Sequence, residues 1–174
     1  MKILVVQNKM GIGDMIIYLP FIDAISKKFN TPVSILAKQS SRAEQFLKDH
    51  KNIEKIITLE QSNKLKGAKH QGFSGFINLV KDLRKHNFDK IFIFNSSLRF
   101  YLIAKCAGIK DIHQYSLFTK KNQHVVETAK KFINQNLNLI VESDPKIFIN
   151  DKSVQNVKSK FKINNDQKNI LLGI

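Results

Sequence analysis

Short apolar runs alternate along this chain with longer stretches of helical period. Runs rich in Ile, Val, Leu and Phe predict strands near residues 2–7, 32–37, 54–59, 90–95 and 146–149, with a weaker one near 111–115. Between them the spacing changes. Phe73, Phe76, Ile77, Val80 and Leu83 recur as one face of a helix, and so do Val125, Ala129, Phe132 and Ile133, continued by Leu137. Residues 97–107 read as a further helix, stopped by Gly108 at the position after the cap, where a left-handed backbone is wanted. Strand–helix alternation predicts an α/β fold: a Rossmann-like, mostly parallel sheet with helices on both faces. No short-period repeat and no low-complexity tract interrupts it.

The sharpest local pattern is at the start. The strand-like run Lys2-Ile3-Leu4-Val5-Val6 leads into Gly11-Ile12-Gly13-Asp14, and apolar residues then continue to Pro20. A glycine turn after a buried strand delivers an acidic residue to the start of a helix, at the sheet edge where α/β proteins bind ligands. Pro20 removes one backbone donor, so a kink or restart is expected there, with 11–19 as a separate unit. The turn begins like a dinucleotide fingerprint and then departs from it. Ile16 stands where the third glycine would allow close helix–strand contact, and the second strand ends at Leu36-Ala37-Lys38 without a ribose-binding acid. A nicotinamide or flavin cofactor is not expected. The glycines still admit a ligand to the backbone, and the helix start still attracts anions. Asp14 has two open roles: an N-cap, worth about 1 kcal/mol, or a general base at the mouth of the sheet.

Composition narrows the class. With 174 residues, 43% hydrophobic and 25% charged, the chain has the makeup of one globular domain with a sizeable core. No apolar run reaches the ~18–20 residues of a membrane span, and residues 11–14 break any signal-peptide core, so a cytoplasmic location is expected. The lone cysteine, Cys106, excludes an internal disulfide and a multi-cysteine zinc site; its apolar neighbourhood predicts a small core residue. No two histidines have metal-ligand spacing, and no metal is expected. His50 and His86 are expected to be exposed, His113 pairs with nothing recognisable, and His124 fits a helix cap or a donor at the cleft rim.

The formal charge of +15 raises the question of nucleic acid. Of 29 basic residues, however, only Arg42, Arg84 and Arg99 are arginine, the residue that forks onto phosphates and reads bases. The lysines are scattered, and no aromatic-bearing RNA motif accompanies them. No nucleic-acid partner is expected. The charge would still draw the chain toward an anionic membrane surface. One cluster stands out: Lys64, Lys66, Lys69 and His70, interleaved with Gly67 and Gly72, follow the third strand. They suit either a solvated loop or a flexible clamp for an anionic ligand.

The spacing G-I-G-D-x-I-x-x-x-P from Gly11 to Pro20 resembles the start of glycosyltransferase family 9, the lipopolysaccharide heptosyltransferases. Further segments are similar to that family in the same order: Phe88 to Arg99, a strand ending in a polar turn with Ser and Leu-Arg; Ala104 to Gly108, as A-K-C-A-G; and His124-Val125-Val126-Glu127 at a helix start. Val33 to Leu36 and Ile53 to Ile57 fit its second and third strands. The resemblance implies an inverting, metal-independent enzyme of GT-B architecture, with two Rossmann-like halves facing across a cleft. This chain would be the N-terminal, acceptor-binding half, and Asp14 the base. An ADP-heptose-like nucleotide-sugar donor would bind the other half, and no other cofactor is implied. The acceptor would be an anionic glycolipid of the lipopolysaccharide core, reached at the inner face of the cytoplasmic membrane.

On that reading the site comprises Asp14, with Lys9, Gly11, Ile12, Gly13, Lys64, Lys66, Lys69, Asn95, Ser96, Ser97 and Arg99 contacting the acceptor. Residues 1–165 form the acceptor domain. Residues 166–174, with the fresh apolar run Ile170-Leu171-Leu172, look like the opening strand of a truncated second domain. The alternative is a noncatalytic α/β module that binds a nucleotide or phosphate at the same turn.

Overall fold

The structure is a computed structural model that describes residues 1–61, 67–116, 124–147 and 151–164. Five strands form one fully parallel sheet: β1 (Ile3–Gln7), β2 (Val33–Lys38), β3 (Ile53–Leu59), β4 (Lys90–Ile93) and β5 (Asp111–Gln114). Their order across the sheet is β3-β2-β1-β4-β5. β1 is the hinge of the topology. It pairs with β2 on one side, Leu4 beside Ser34, and with β4 on the other, Val6 beside Ile93. The chain therefore winds outward in one direction through β3, returns to the centre, and winds outward again through β5.

Among the described residues, five α-helices pack against the sheet, α1 (Ile12–Phe29), α2 (Ala43–Leu47), α3 (Gly72–Arg84), α4 (Leu98–Cys106) and α5 (Val125–Leu137), and a further one, α6 (Asp151–Phe161), buries none of its residues. Successive strand side chains point to opposite faces, and the central strands are apolar on both. Ile3, Val5 and Phe92 enter a core shared with α1, α2 and α5; Leu4, Val6, Ile91 and Ile93 enter a second core under α3 and α4. Every residue of β1 is buried. The two edge strands are richer in polar residues, Glu54, Lys55 and Thr58 on β3 and Asp111, His113 and Gln114 on β5, which suits strands open to water on one edge.

The sequence expectations hold for the five strands and differ at particular points. Lys146 and Ile147 are not in a strand; they end an irregular segment after Pro145, whose ring leaves no N–H for a ladder, and Phe148 and Ile149 lie outside the described residues. Residues 166–174 lie outside them as well. α1 runs unbroken through Pro20, because Met15, Tyr18, Leu19, Phe21, Ile22 and Ile25 bury one continuous face on both sides of it. α4 ends as expected. Gly108 takes φ 86°, its N–H bonds the Lys105 carbonyl, and the Ile109 N–H bonds that of Ala104, a Schellman closure.

Three buried-or-exposed expectations reverse. Cys106 is exposed, because it stands on the last turn of α4 beside Arg84, whose Nε and Nη2 bond its carbonyl. His50 is buried, with Nε2 3.6 Å from Asp23 and Nδ1 accepting from the Asn52 N–H. On α3 the buried face is Gly75, Leu79, Val80 and Leu83, so the predicted stripe is rotated and Phe73 is left 81% exposed.

Phe92 is fully buried and touches rings on three elements: Phe29, a stacked His113 at 4.5 Å, and Phe132 edge-on. Phe92→Ala is expected to lower the unfolding free energy by about 3–5 kcal/mol, read from the midpoint of urea denaturation.

Candidate functional site at the carboxyl edge of the sheet

In a doubly wound sheet the crevice opens where adjacent strands send their connections to opposite faces. Here that point lies between β1 and β4. The β1–α1 connection passes to one side and the β4–α4 connection to the other. A bond from the Phe94 N–H to the Val6 carbonyl at 3.1 Å zips the two strands together to the rim. Asp14 and Ser97 therefore stand on the same edge of the sheet, each just beyond a strand end.

The β1–α1 turn is built for close approach. Gly11 takes φ 105°, a backbone conformation open to glycine and costly for other residues, and it serves as the N-cap of α1 without a side-chain cap bond. Asp14 is thus not the cap. It is the third residue of the helix, half-buried, and no hydrogen bond or ion pair among the described residues reaches its carboxylate. Ile12 and Gly13 are exposed beside it. The uncapped N–H groups of this first turn and the positive end of the helix favour an anionic or oxygen-rich ligand. Lys9 is exposed on the same loop, with its N–H bonded to Gln7 Oε1.

The β4–α4 turn is rigid. Asn95 Oδ1 accepts from the Ser97 N–H at 2.9 Å, and Gln114 Nε2 donates to the carbonyls of both Asn95 and Ser97. Ser97 is the N-cap of α4 by position, yet its hydroxyl makes no cap bond. Ser96 is exposed. Two polar groups at this edge escape sequence reading. Gln7 ends β1 at an inward position of the Ile3, Val5 period and is almost wholly buried. Gln114 braces the turn from the edge strand. The side-chain amide nitrogens of Gln7 and Asn95 are shielded from solvent and have no hydrogen-bond partner among the described residues. A polar residue closing an apolar strand was the available signal for Gln7; the role of Gln114 depends on strand order, which the sequence does not display.

Behind the rim lies an aromatic cluster. Tyr18 packs on Phe94 at 5.1 Å, and Tyr115 meets Phe94 and Phe132 edge-on. Burial pushes the pKa of both phenols up, and the carboxylate of Asp14 adds to that effect at Tyr18. Both hydroxyls stay protonated and act as neutral groups.

The lysine-rich segment separates into two parts. Lys64 and Lys66 lie outside the described residues. Lys69 pairs with Asp82 at 2.6 Å, and the turn that carries it is pinned from three sides. His70 is buried; its Nδ1 accepts from the Glu60 N–H and its Nε2 faces Asp82 at 3.2 Å. Gly75 lets the turn sit directly on α3: a Cβ there would fall 2.1 Å from the His70 carbonyl carbon. Arg99 reaches over from α4 and donates to the carbonyls of His70 and Gly72. Lys69 and Arg99 thus meet protein groups, while Asp14, Gly11, Ile12, Gly13, Asn95, Ser96 and Ser97 gather at the crevice.

The described residues hold no group of three or more His, Cys, Asp or Glu fit to bind a metal ion. Among them, no helix is long and apolar enough to cross a membrane.

No protein-family model and no curated protein sequence matches the chain. Solved structures share its fold. A family 9 glycosyltransferase from Veillonella parvula superposes with a TM-score of 0.67 at 16% identity, over 94% of this chain and 50% of that one. The ADP-heptose lipopolysaccharide heptosyltransferase II of E. coli gives 0.62 at 15% identity, over 95% of this chain and 52% of that one. The E. coli heptosyltransferase WaaC, solved with ADP-2-deoxy-2-fluoro heptose, gives 0.54 at 15%, over 95% and 56%. The chain spans about half the length of the solved structures it matches. The expected Rossmann-like fold and its likeness to family 9 structures are both present.

The Asp82 cluster sets a pH dependence. Burial alone would raise the carboxyl pKa, but hydrogen bonds from Lys69, His70 and Lys85 outweigh it and hold it well below the usual carboxylate range. A group more acidic in the folded than in the unfolded chain stabilises the fold above its unfolded pKa of about 4 and loses that contribution as pH falls below it. Acidification through this range is expected to lower the urea midpoint of the native protein more than that of Asp82→Asn. Gly75→Ala is expected to destabilise by about 1–3 kcal/mol at every pH, through its clash with the His70 backbone.

Proposed function

We propose that this chain is the acceptor-binding, N-terminal half of an inverting glycosyltransferase of GT-B architecture. It would move heptose or a related sugar from an ADP-heptose-like donor to an anionic glycolipid of the lipopolysaccharide core. The observation that carries the reading is Asp14. Its carboxylate stands half-exposed at the β1–β4 crevice, beside the glycine turn, with no hydrogen bond or ion pair from the described residues, in a fold shared with heptosyltransferases over nearly the whole chain.

The chemistry follows from that placement. An acceptor hydroxyl seated over Gly11 and Gly13 would lose its proton to Asp14 as its oxygen attacks the anomeric carbon. The new C–O bond forms as the bond from that carbon to the donor's phosphate oxygen breaks, and the electron pair leaves with the nucleotide. Attack from the face opposite the leaving group inverts the centre. Asp14 takes up a proton, a general-base contribution of about 10²–10⁴ in rate. The exposed Ser96 and the hydroxyl of Ser97, which makes no cap bond, suit the orientation of acceptor oxygens. Exposed Lys9 suits an acceptor phosphate or carboxylate. Arg99, tied to the His70 and Gly72 carbonyls, would shape the rim. The donor would be held by the second half, and no metal is required.

In a protein that joins this chain to a donor-binding half, Asp14→Asn is expected to lower kcat on the order of 10²-fold or more, with KM for the acceptor little changed and the thermal midpoint unmoved. A large drop in stability with a modest loss of rate would assign Asp14 a structural role. The chain alone is expected to bind a phosphorylated glycolipid acceptor in calorimetric titration and to transfer no sugar. Selective tight binding of a free nucleotide would favour the noncatalytic module instead.

A further inference from the structure

The β4–α4 wall of the crevice is held without the usual device. Ser97 occupies the N-cap position of α4 with the extended backbone of a cap, φ −84° and ψ 115°. A serine there commonly turns its hydroxyl onto an N–H of the first helical turn. Ser97 makes no such bond. The Phe100 N–H goes to the Ser97 carbonyl instead, at 3.1 Å. The Ser97 N–H is taken by Asn95 Oδ1, and the carbonyls of Asn95 and Ser97 both accept from one group, Gln114 Nε2, each at 2.9 Å. The turn is therefore fixed without use of the Ser97 hydroxyl.

Stability alone does not account for Gln114. It lies beside Ile93 in the parallel register of β4 and β5 and follows Ile112 on the same face of its strand; both isoleucines pack in the core under α3 and α4. An apolar side chain is the ordinary occupant of such a place. Gln114 instead reaches to the turn, and its own Oε1 is left shielded from solvent without a partner among the described residues, an arrangement that costs stability. The strand that carries it is anchored on its other face. Lys90 pairs with Asp111, and His113 stacks on Phe92 with one ring nitrogen 2.8 Å from Asp111 and the other 2.8 Å from Asn136 of α5. The Gln114 amide is thus a fixed point against which the turn is set.

We infer that Gln114 is a positioning residue for the acceptor: by clamping the carbonyls of Asn95 and Ser97 it takes the place of a serine cap, and so keeps the Ser97 hydroxyl for a hydrogen bond with an acceptor oxygen. That hydroxyl stands on the same edge of the sheet as Asp14, on the other wall of the β1–β4 crevice. One hydrogen bond there sets the acceptor against the base, where a small misplacement of reacting atoms is costly in rate. Gln114 touches no reacting atom and acts through Ser97. This role rests on the sugar-transfer reading.

Calorimetric titration of the 174-residue chain with heptose-free lipopolysaccharide dispersed in detergent tests it. Gln114→Met keeps the length of the side chain and loses the amide; Ser97→Ala loses the hydroxyl. Each is expected to weaken binding about three- to tenfold, the range of one hydrogen bond. The double variant is expected to bind no more weakly than either single one, because both changes remove the same contact. Urea denaturation gives a second readout, without ligand. In the native chain Ser97→Ala is expected to leave the midpoint unmoved, since no cap is lost. In the Gln114→Met chain, where the released turn lets Ser97 cap α4, the same change is expected to lower it. If the native chain binds and Gln114→Met binds as well, or if the two losses multiply in the double variant, the role of Gln114 is overturned and the transferase reading stands. A lower midpoint for Ser97→Ala in the native chain also overturns it, and that measurement needs no Gln114 variant to fold. If the native chain does not bind this glycolipid, the transferase reading fails and the role of Gln114 fails with it.

Discussion

The parallel pairing of β1 with β4 is the contact on which the rest of the molecule depends. Every residue of β1 is buried, with Ile3 and Val5 facing one core and Leu4 and Val6 the other. A strand covered on both faces belongs at the centre of a doubly wound sheet. Because β4 returns to its open side, the chain reverses its winding there, and a crevice opens beyond the two strand ends. The Phe94–Val6 backbone bond carries the pairing to the rim. The glycine turn, Asp14 and the braced Asn95–Ser97 turn all inherit their positions from it.

The two walls of that crevice are built differently. On the α1 side the backbone is bare: Gly11 in a left-handed conformation, no side-chain cap, and a carboxylate without a protein partner among the described residues. On the α4 side the backbone is tied, by Asn95 to its own turn and by Gln114 from the edge strand. A rigid wall opposite an open one suits a site that must hold one reactant in a fixed place while admitting another, since a small misplacement of reacting atoms is costly in rate. The side-chain amides of Gln7 and Asn95 sit where these walls meet their strands, their oxygens accepting from the Lys9 and Ser97 N–H groups and their buried nitrogens without a partner among the described residues.

Arg99 and His70 show how a residue that looks like a ligand contact in one dimension becomes part of the scaffold in three. Arg99 follows a strand end by a few residues, where ligands are common, yet its guanidinium is committed to two carbonyls of the turn before α3. His70 lies in a lysine- and glycine-rich stretch that reads as solvated, yet it is buried against Asp82 and the Gly75 backbone. Arg99 meets carbonyls 27 and 29 residues away, and His70 meets Asp82 12 residues on, beyond a close approach of the His70 backbone to Gly75. The same packing sets the rotation of α3. Gly75 against the His70 turn and Leu79, Val80 and Leu83 in the core together face inward, and Phe73 and Ile77 are turned out to the surface.

The amino-acid sequence by itself determined the alternation of strands and helices, the burial of the central strands, the glycine turn after β1, the glycine stop of α4 and the presence of Asp14 at a helix start. These follow from local periodicity and from backbone preferences that act within a few residues. Tertiary structure alone decided the strand order, the commitment of Arg99, the burial of His50 and His70, the brace from Gln114, and the face that α3 presents to the core. It also kept α1 continuous through Pro20, since packing on both sides of the proline outweighs the one hydrogen bond it removes. Each of these rests on contacts between residues distant in sequence, whose energies are set by burial and close approach rather than by the spacing of residue types along the chain.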